Sequence, residues 1–376
     1  MIDTSIYIHI PFCDHKCIYC DFYSIITLKN LEEYLNALKK EIDFFADRYS
    51  DNRKIISIYF GGGTPSLIEP DLIRTIIEKI SKRFFLSSDI EITLETNPGT
   101  VNKDKLKTFK EIGINRLSIG VQSFKDEELK FLTRIHNSHT AIKTVLDAYE
   151  NGFKNISIDL IFNLPKQTKE IWQRNLEIAI NLPITHISAY SLILEKGTIL
   201  NKMVLDGKIE IQDEDYDADL YEYTIDFLNQ NGFNQYEVSN FAKPGFESIH
   251  NNSYWSYKDY LGFGTSSHSF VDGKRWWNYS SLSFYIKSIN DKGNAVIGEE
   301  ILTKEQMIDE FVMLSLRSQG LSISNFYEKF GNNWLKEREL KIEKLIFDGF
   351  IIREEDKIKL TKKGYALCDE IIKILL

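Results

Sequence analysis

An α/β chain built on a parallel sheet is what this sequence predicts, on two observations. Between residues 6 and 193, short runs rich in Ile, Leu, Val and aromatics alternate with longer stretches of helical period. The unusual residues (cysteines, glycine runs, isolated carboxylates) fall at the ends of those runs, where parallel α/β folds carry their chemistry. Six βα units in succession call for parallel strands, because right-handed crossovers lay successive strands side by side. Six is fewer than the eight of a closed barrel, so the expectation is an open, partial six-stranded TIM-type barrel rather than a flat doubly wound sheet.

The strands are expected at residues 6–10, 56–60, 90–95, 116–120, 156–162 and 186–192, each rich in β-branched, aliphatic or aromatic residues. Helices are expected between them, among others at 31–47, 70–85 and 168–182. In the first of these, Leu31, Tyr34, Leu35, Leu38, Ile42 and Phe45 mark one apolar face.

The first strand runs into YIHIPFCDHKCIYCDFY, residues 7–23, which holds Cys13, Cys17 and Cys20, three of the 4 cysteines in the chain. Three thiolates spaced C-x3-C-x2-C on one loop can converge on a soft metal centre, an iron–sulfur cluster or zinc. A closed zinc site needs a fourth ligand, which His9 or His15 could supply, whereas three protein ligands leave one metal position open. A disulfide framework suits neither the spacing nor a chain this long, and Cys368, in an apolar helical pattern near the C-terminus, reads as a small buried hydrophobe.

The second strand is followed by GGGTP, residues 61–65. Three glycines let a backbone approach a ligand closely, with N–H and C=O groups free to bind it. The stretch lacks a P-loop lysine and is not G-x-G-x-x-G, so neither nucleotide fingerprint applies, and a tight turn into the next helix is the plainer reading of the glycines alone. Glu95 closes the third strand, Gly120, Val121 and Gln122 follow the fourth, and Asp159 lies in the fifth. All are expected on one rim.

The length of 376 residues suits one large domain with an appendage, or two medium ones. Hydrophobic residues at 43%, charged residues at 27% and only 7 prolines describe a globular protein with little disorder. No apolar run is long enough to span a bilayer and no targeting segment is evident, so the expected location is the cytoplasm. A net charge of -9 argues against a broad nucleic-acid footprint.

Past residue 194 the alternation ends. Residues 213–230 read as a flanking helix with Tyr216, Leu220, Tyr223 and Phe227 at core spacing. Residues 232–270 are dense in aromatics and glycines and contain HNNSYW, in which one helical turn puts His250 and Tyr254 on a common face. Imidazole and phenolate both serve as axial ligands of heme iron. After a linker expected near 290–300, helices at 304–317 and 335–347 and a hairpin within 349–360 form a small unit with balanced charge, better suited to a lid or docking role than to DNA.

Together, the triple cysteine and the stretches IYIHIPFC, GGGTPS, ETNPG, GVQSF and DLIFNLPKQT resemble the coproporphyrinogen oxidase-like branch of the radical S-adenosylmethionine (SAM) superfamily. The resemblance implies a 4Fe–4S cluster on Cys13, Cys17 and Cys20. It also implies a bed for SAM made of Tyr7, Tyr19, Gly62, Gly63, Thr64, Glu95, Gln122, Arg134 and Asp159. HNNSYW resembles the H-N-x-x-Y-W motif of the HemW-type heme chaperones, which implies heme at His250 and Tyr254. The oxygen-independent oxidase pattern continues C-x3-C-x2-C-x-C, whereas Phe22 stands at the last position here, and the oxidase's N-terminal arm is not expected with Tyr7 so near the start. The implied activity is therefore heme binding and delivery to acceptor proteins such as respiratory cytochrome subunits, with an electron donor and transient contact with membrane proteins. The alternative is radical oxidative decarboxylation of coproporphyrinogen III. Radical modification of RNA lacks a basic appendage. Three regions are expected: 1–195 with cluster and SAM site, 196–300 with the heme motif, and a winged-helix-like 301–376.

Overall fold

The computed structural model describes residues 1–331 and 333–376. Its core is a 12-stranded mixed sheet in the order β12-β11-β10-β9-β1-β2-β3-β4-β5-β6-β8-β7. The central strands are β1 (Ile2–Ile10), β2 (Arg53–Gly62), β3 (Phe85–Thr96), β4 (Arg116–Gln122), β5 (Asn155–Phe162) and β6 (His186–Ser191). They are the six expected runs, all parallel and side by side. The residues that pack with the helices are fully buried, among them Ile6, Ile8, Ile58, Phe60, Leu94, Ile119, Ile158 and Ile187, and so are Ser5, Ser57, Thr93 and Ser157 on the opposite face. That is the pattern of strands covered on both faces.

The six-strand expectation falls short at both edges. On one side stand β8 (Asn240–Ala242), antiparallel to β6, and at the edge β7 (Asn234–Gln235), antiparallel to β8. On the other, β9 (Asp259–Phe263) runs parallel to β1, followed by antiparallel β10 (His268–Val271), β11 (Lys274–Asn278) and β12 (Val296–Ile301). These runs are short and mix aromatics with Asn, Gly and charged residues, so alternation alone did not single them out. Most of the stretch expected as a linker, 290–300, lies in the end of the helix Leu282–Lys292 and in edge strand β12.

The helix Leu31–Tyr49 buries the predicted face, with Tyr34, Leu35, Leu38, Ile42 and Phe45 against the sheet. Beyond residue 301 a second apolar core gathers Phe311, Leu316, Phe326, Trp334, Ile342 and Ile371. It is built from helices and a three-stranded antiparallel sheet of β13 (Leu321–Ser322), β14 (Ile351–Glu354) and β15 (Lys357–Leu360), in the order β13-β15-β14. Cys368 is buried there, as expected, and burial pushes its thiol up to about 11. No described helix is long and apolar enough to cross a membrane.

Candidate functional site

At the carboxyl ends of β1 to β6 a cavity of about 430 Å³ is lined by Cys13, Cys17, Cys20, Tyr19, Gly62, Gly63, Thr64, Glu95, Gln122, Arg134 and Asp159. One wall thus carries every residue the sequence pointed to for cluster and SAM, except Tyr7. The cysteine loop is closed at its base by Cys13 N–H donating to Ile25 O (3.0 Å) and Ile25 N–H to Pro11 O (2.8 Å). The glycine stretch ties to it: Gly63 N–H donates to Ile10 O and Thr64 N–H to Phe12 O, both at 2.8 Å. Gly62 N–H donates to Glu95 Oε2 at 3.0 Å. The expectation of free N–H groups is corrected at these three residues; their donors hold loop and strand together.

Glycine is required here for space. A Cβ on Gly63 would stand 2.5 Å from Phe12 O, and one on Gly62, whose φ is +117°, would stand 2.6 Å from the His9 ring.

Glu95 is buried and also accepts from Tyr59 OH at 2.9 Å; burial holds its carboxyl up at about 7. Burial likewise raises Asp159, opposed by hydrogen bonds from Ser188 and Ser118 and by the Arg116 guanidinium. Arg134 donates to Asn97 Oδ1 and to Gly120 O, each at 2.8 Å, and its Nη1 stands 3.6 Å from Cys17 Sγ. Its buried Nε has no partner among the described residues. Gln122 ends β4 in the left-handed region with φ 68°, a strained placement for a non-glycine residue.

The three thiols line one cavity without closing on a common point. Cys13 Sγ lies 3.1 Å from Thr64 Oγ1 and 2.8 Å from His15 O, and burial raises the Cys20 thiol. No group of three or more potential ligands among the described residues is gathered at metal-binding spacing. Bare thiols have no mutual attraction to draw them together; only a shared soft metal supplies it.

A second cavity, about 560 Å³, opens beside the first and is walled by Tyr7, His9, Tyr23, Tyr254, Tyr257, Tyr260, His268, Phe270 and Arg275, with Glu310, Met313 and Leu314 from the C-terminal unit. Tyr7 belongs to this wall, its hydroxyl 3.1 Å from His9 Nδ1. Phe22 lines both cavities.

Between them lies the helix Ile249–Trp255, which presents Asn251 to the first cavity and Tyr254 to the second. His250 is 2% exposed and lines neither. Its ring stacks on Tyr59 with centroids 4.8 Å apart. Its Nδ1 lies 2.9 Å from Ser57 Oγ, and its Nε2 lies 2.9 Å from Tyr254 OH. Ser57 spends its own proton on Ser5, so Nδ1–H donates to Ser57 and Nε2 accepts from Tyr254. Burial, then the Arg116 charge, lowers the imidazole to about 3, and it is neutral at pH 7.

Three residues went unread in the sequence. Glu91, buried on β3, accepts from Ser248 Oγ (3.3 Å), Ile249 N–H (3.2 Å) and His250 N–H (3.0 Å), and so anchors the start of the HNNSYW helix. Arg116, 2% exposed, stands 3.9 Å from Glu91 and lines the first cavity. Asn97 bridges Thr64 Oγ1 (3.0 Å) and Arg134. Asn97 sits in the quoted ETNPG stretch, a signal that could have found it. Glu91 and Arg116 read as ordinary strand residues.

A cysteine triple at the mouth of a parallel βα sheet, facing buried carboxylates and a glycine wall, defines the class. Residues 7–178 match the Radical SAM superfamily model and residues 302–367 match the HemN C-terminal domain model. Superfamily membership implies use of SAM and an iron–sulfur cluster. The heme chaperone HemW of Bacillus subtilis is 37% identical over 371 residues, covering 98% of this chain and 97% of its own. That of Lactococcus lactis is 35% identical over 370 residues, covering 98% and 96%. Among solved structures, the coproporphyrinogen III oxidase HemN of Escherichia coli, a radical SAM enzyme, superposes with a TM-score of 0.85 at 26% identity, over 100% of this chain and 90% of that one. Within the superfamily, the chain belongs to the HemW family.

Proposed function

We propose that this protein binds heme and passes it to acceptor proteins, using a cluster and SAM site beside the heme site. The observation that carries the reading is the pair of adjoining cavities divided by the HNNSYW helix: one wall is of thiols and carboxylates, the other of aromatics. The names of the relatives, heme chaperones in B. subtilis and L. lactis, support it.

The residues fit the groups. Cys13, Cys17 and Cys20 share a cavity wall, as three ligands to one cluster require, and the unpartnered Arg134 Nε beside Cys17 leaves a donor for an anionic group. Glu95 and Asp159 offer carboxylates to hydroxyl or ammonium groups of SAM, with Tyr19, Gly62, Gly63, Thr64 and Gln122 completing the bed. When bound, cluster and SAM together supply one-electron reductive chemistry. Tyr7 serves the aromatic cavity more directly than the SAM bed. Tyr254 presents its ring to heme and His250 fixes the direction of its hydroxyl.

In this reading residues 1–195 form a partial barrel, 196–300 carry the heme motif and 301–376 form a winged-helix-like lid, from which Glu310, Met313 and Leu314 reach the aromatic cavity. The partners are heme, heme-acceptor proteins including membrane-bound cytochrome subunits, and an electron donor, without nucleic acid. The likeness to HemN favours one rival, decarboxylation of coproporphyrinogen III, against which stands Phe22 at the position of the oxidase's fourth cysteine.

The test is transfer. Protein loaded with hemin and freed of excess on a desalting column is mixed with an apo-hemoprotein. Heme leaving this chain for the acceptor is the expected result; failure to retain hemin through the column rejects the reading.

A further inference from the structure

The aromatic cavity contains a histidine outside the HNNSYW motif. His268 opens β10, and the register with β11 sets it opposite Trp277 while Phe270 stands opposite Arg275. Alternate residues of a strand share a face. His268, Phe270 and Arg275 therefore stand on one side of the sheet, and all three line the cavity. Tyr260, the partner of Phe270 on β9, joins them.

A histidine binds iron through a neutral ring nitrogen with a free lone pair. Both nitrogens of His9, the other histidine on this wall, are engaged, by Tyr7 OH and Tyr23 O at 3.1 Å each. Both nitrogens of His250 are engaged by Ser57 and Tyr254. The His268 ring is exposed, packs 5.9 Å from the Trp277 ring, and takes part in no such bond among the described residues. Burial of part of the ring and the Arg275 charge lower its pKa, which keeps it neutral at pH 7.

Resting on the heme reading above, we infer that His268, and not His250, supplies the axial nitrogen to an iron tetrapyrrole seated in the aromatic cavity. The step is a ligand exchange: the imidazole lone pair forms a bond to ferric iron, water or chloride leaves, and no oxidation state changes. The macrocycle packs against Tyr254, Tyr260 and Phe270, whose rings form a continuous chain, Tyr254 and Tyr260 at 4.7 Å and Tyr260 and Phe270 at 6.3 Å. His250 is a positioning residue, acting through the Tyr254 hydroxyl.

The full chain is titrated with hemin, following Soret absorbance and tryptophan quenching, and separately with metal-free protoporphyrin IX. In His268→Ala, hemin affinity falls about tenfold or more with a changed Soret position, while protoporphyrin IX binds as to wild type. Added imidazole restores the wild-type Soret band. His250→Ala keeps the wild-type band position. A His268→Ala protein with unaltered Soret band and affinity, or a band lost only in His250→Ala, overturns the assignment while leaving heme binding intact. A wild type that binds no hemin overturns both.

Discussion

Glu91→Ala tests whether the HNNSYW helix is held from beneath. The Glu91 carboxylate accepts three hydrogen bonds from the helix start and faces Arg116, both residues being at most 5% exposed. Removing it leaves the Arg116 guanidinium with only the Asp159 and Glu95 carboxyls to offset it, which places this part of the loss at the lower end of the about 3–5 kcal/mol of a broken buried pair. The abandoned amides of Ile249 and His250 add about 1–3 kcal/mol each where no water reaches them. The 3.9 Å separation of the ion pair and the cavity beside Arg116 place the sum near its lower end, about 5 kcal/mol. Glu91→Gln keeps one acceptor for Ser248 and His250 and loses the charge, so about half that loss is expected. Urea unfolding followed by tryptophan emission reads both. A loss under about 1 kcal/mol in Glu91→Ala, or a Gln variant as damaged as the Ala variant, refutes the reasoning.

Other outcomes follow from the same geometry. Replacing Cys13, Cys17 or Cys20 by Ala abolishes iron loading measured by metal analysis after anaerobic reconstitution, whereas Cys368→Ala leaves iron content unchanged because Cys368 lies in the C-terminal core. Glu95, held at about 7 by burial, is largely protonated below that pH and must ionise to hold a cation. SAM affinity is therefore level above about pH 7 and falls up to about tenfold per unit below it, with proton release on binding measurable by calorimetry in two buffers. Level affinity down to pH 5 would contradict this. Gly63→Ala drives a Cβ to 2.5 Å from Phe12 O, so a loss of about 1–3 kcal/mol in thermal stability is expected, with impaired iron loading.

The six parallel strands were legible because one face of each is aliphatic or aromatic at alternate positions, and the stretches between them have a contrasting helical period. The first cavity was legible because the cysteine triple and Glu95 follow or close apolar strands with no core role to explain them, while Gly63, by itself the mark of a tight turn, joined them through the resemblance. The edge strands were not, since β10 opens on an exposed His268 and a buried Ser269, and β11 on half-buried Lys274 and Arg275. Unseen with them went His268, which only the β10–β11 register places on the aromatic wall. His250 shows the opposite limit. Its i, i+4 relation to Tyr254 was correct, yet spacing cannot tell that both ring nitrogens are already engaged.

Heme handling against porphyrinogen chemistry is the central issue, and one experiment separates them. The anaerobically reconstituted protein is given hemin in one sample, and coproporphyrinogen III with SAM and a reductant in another. Stoichiometric hemin binding with no porphyrinogen consumed is the predicted result. SAM-dependent conversion of coproporphyrinogen III that disappears in Cys17→Ala would contradict the account and make this chain a decarboxylase working with Phe22 in place of a fourth cysteine.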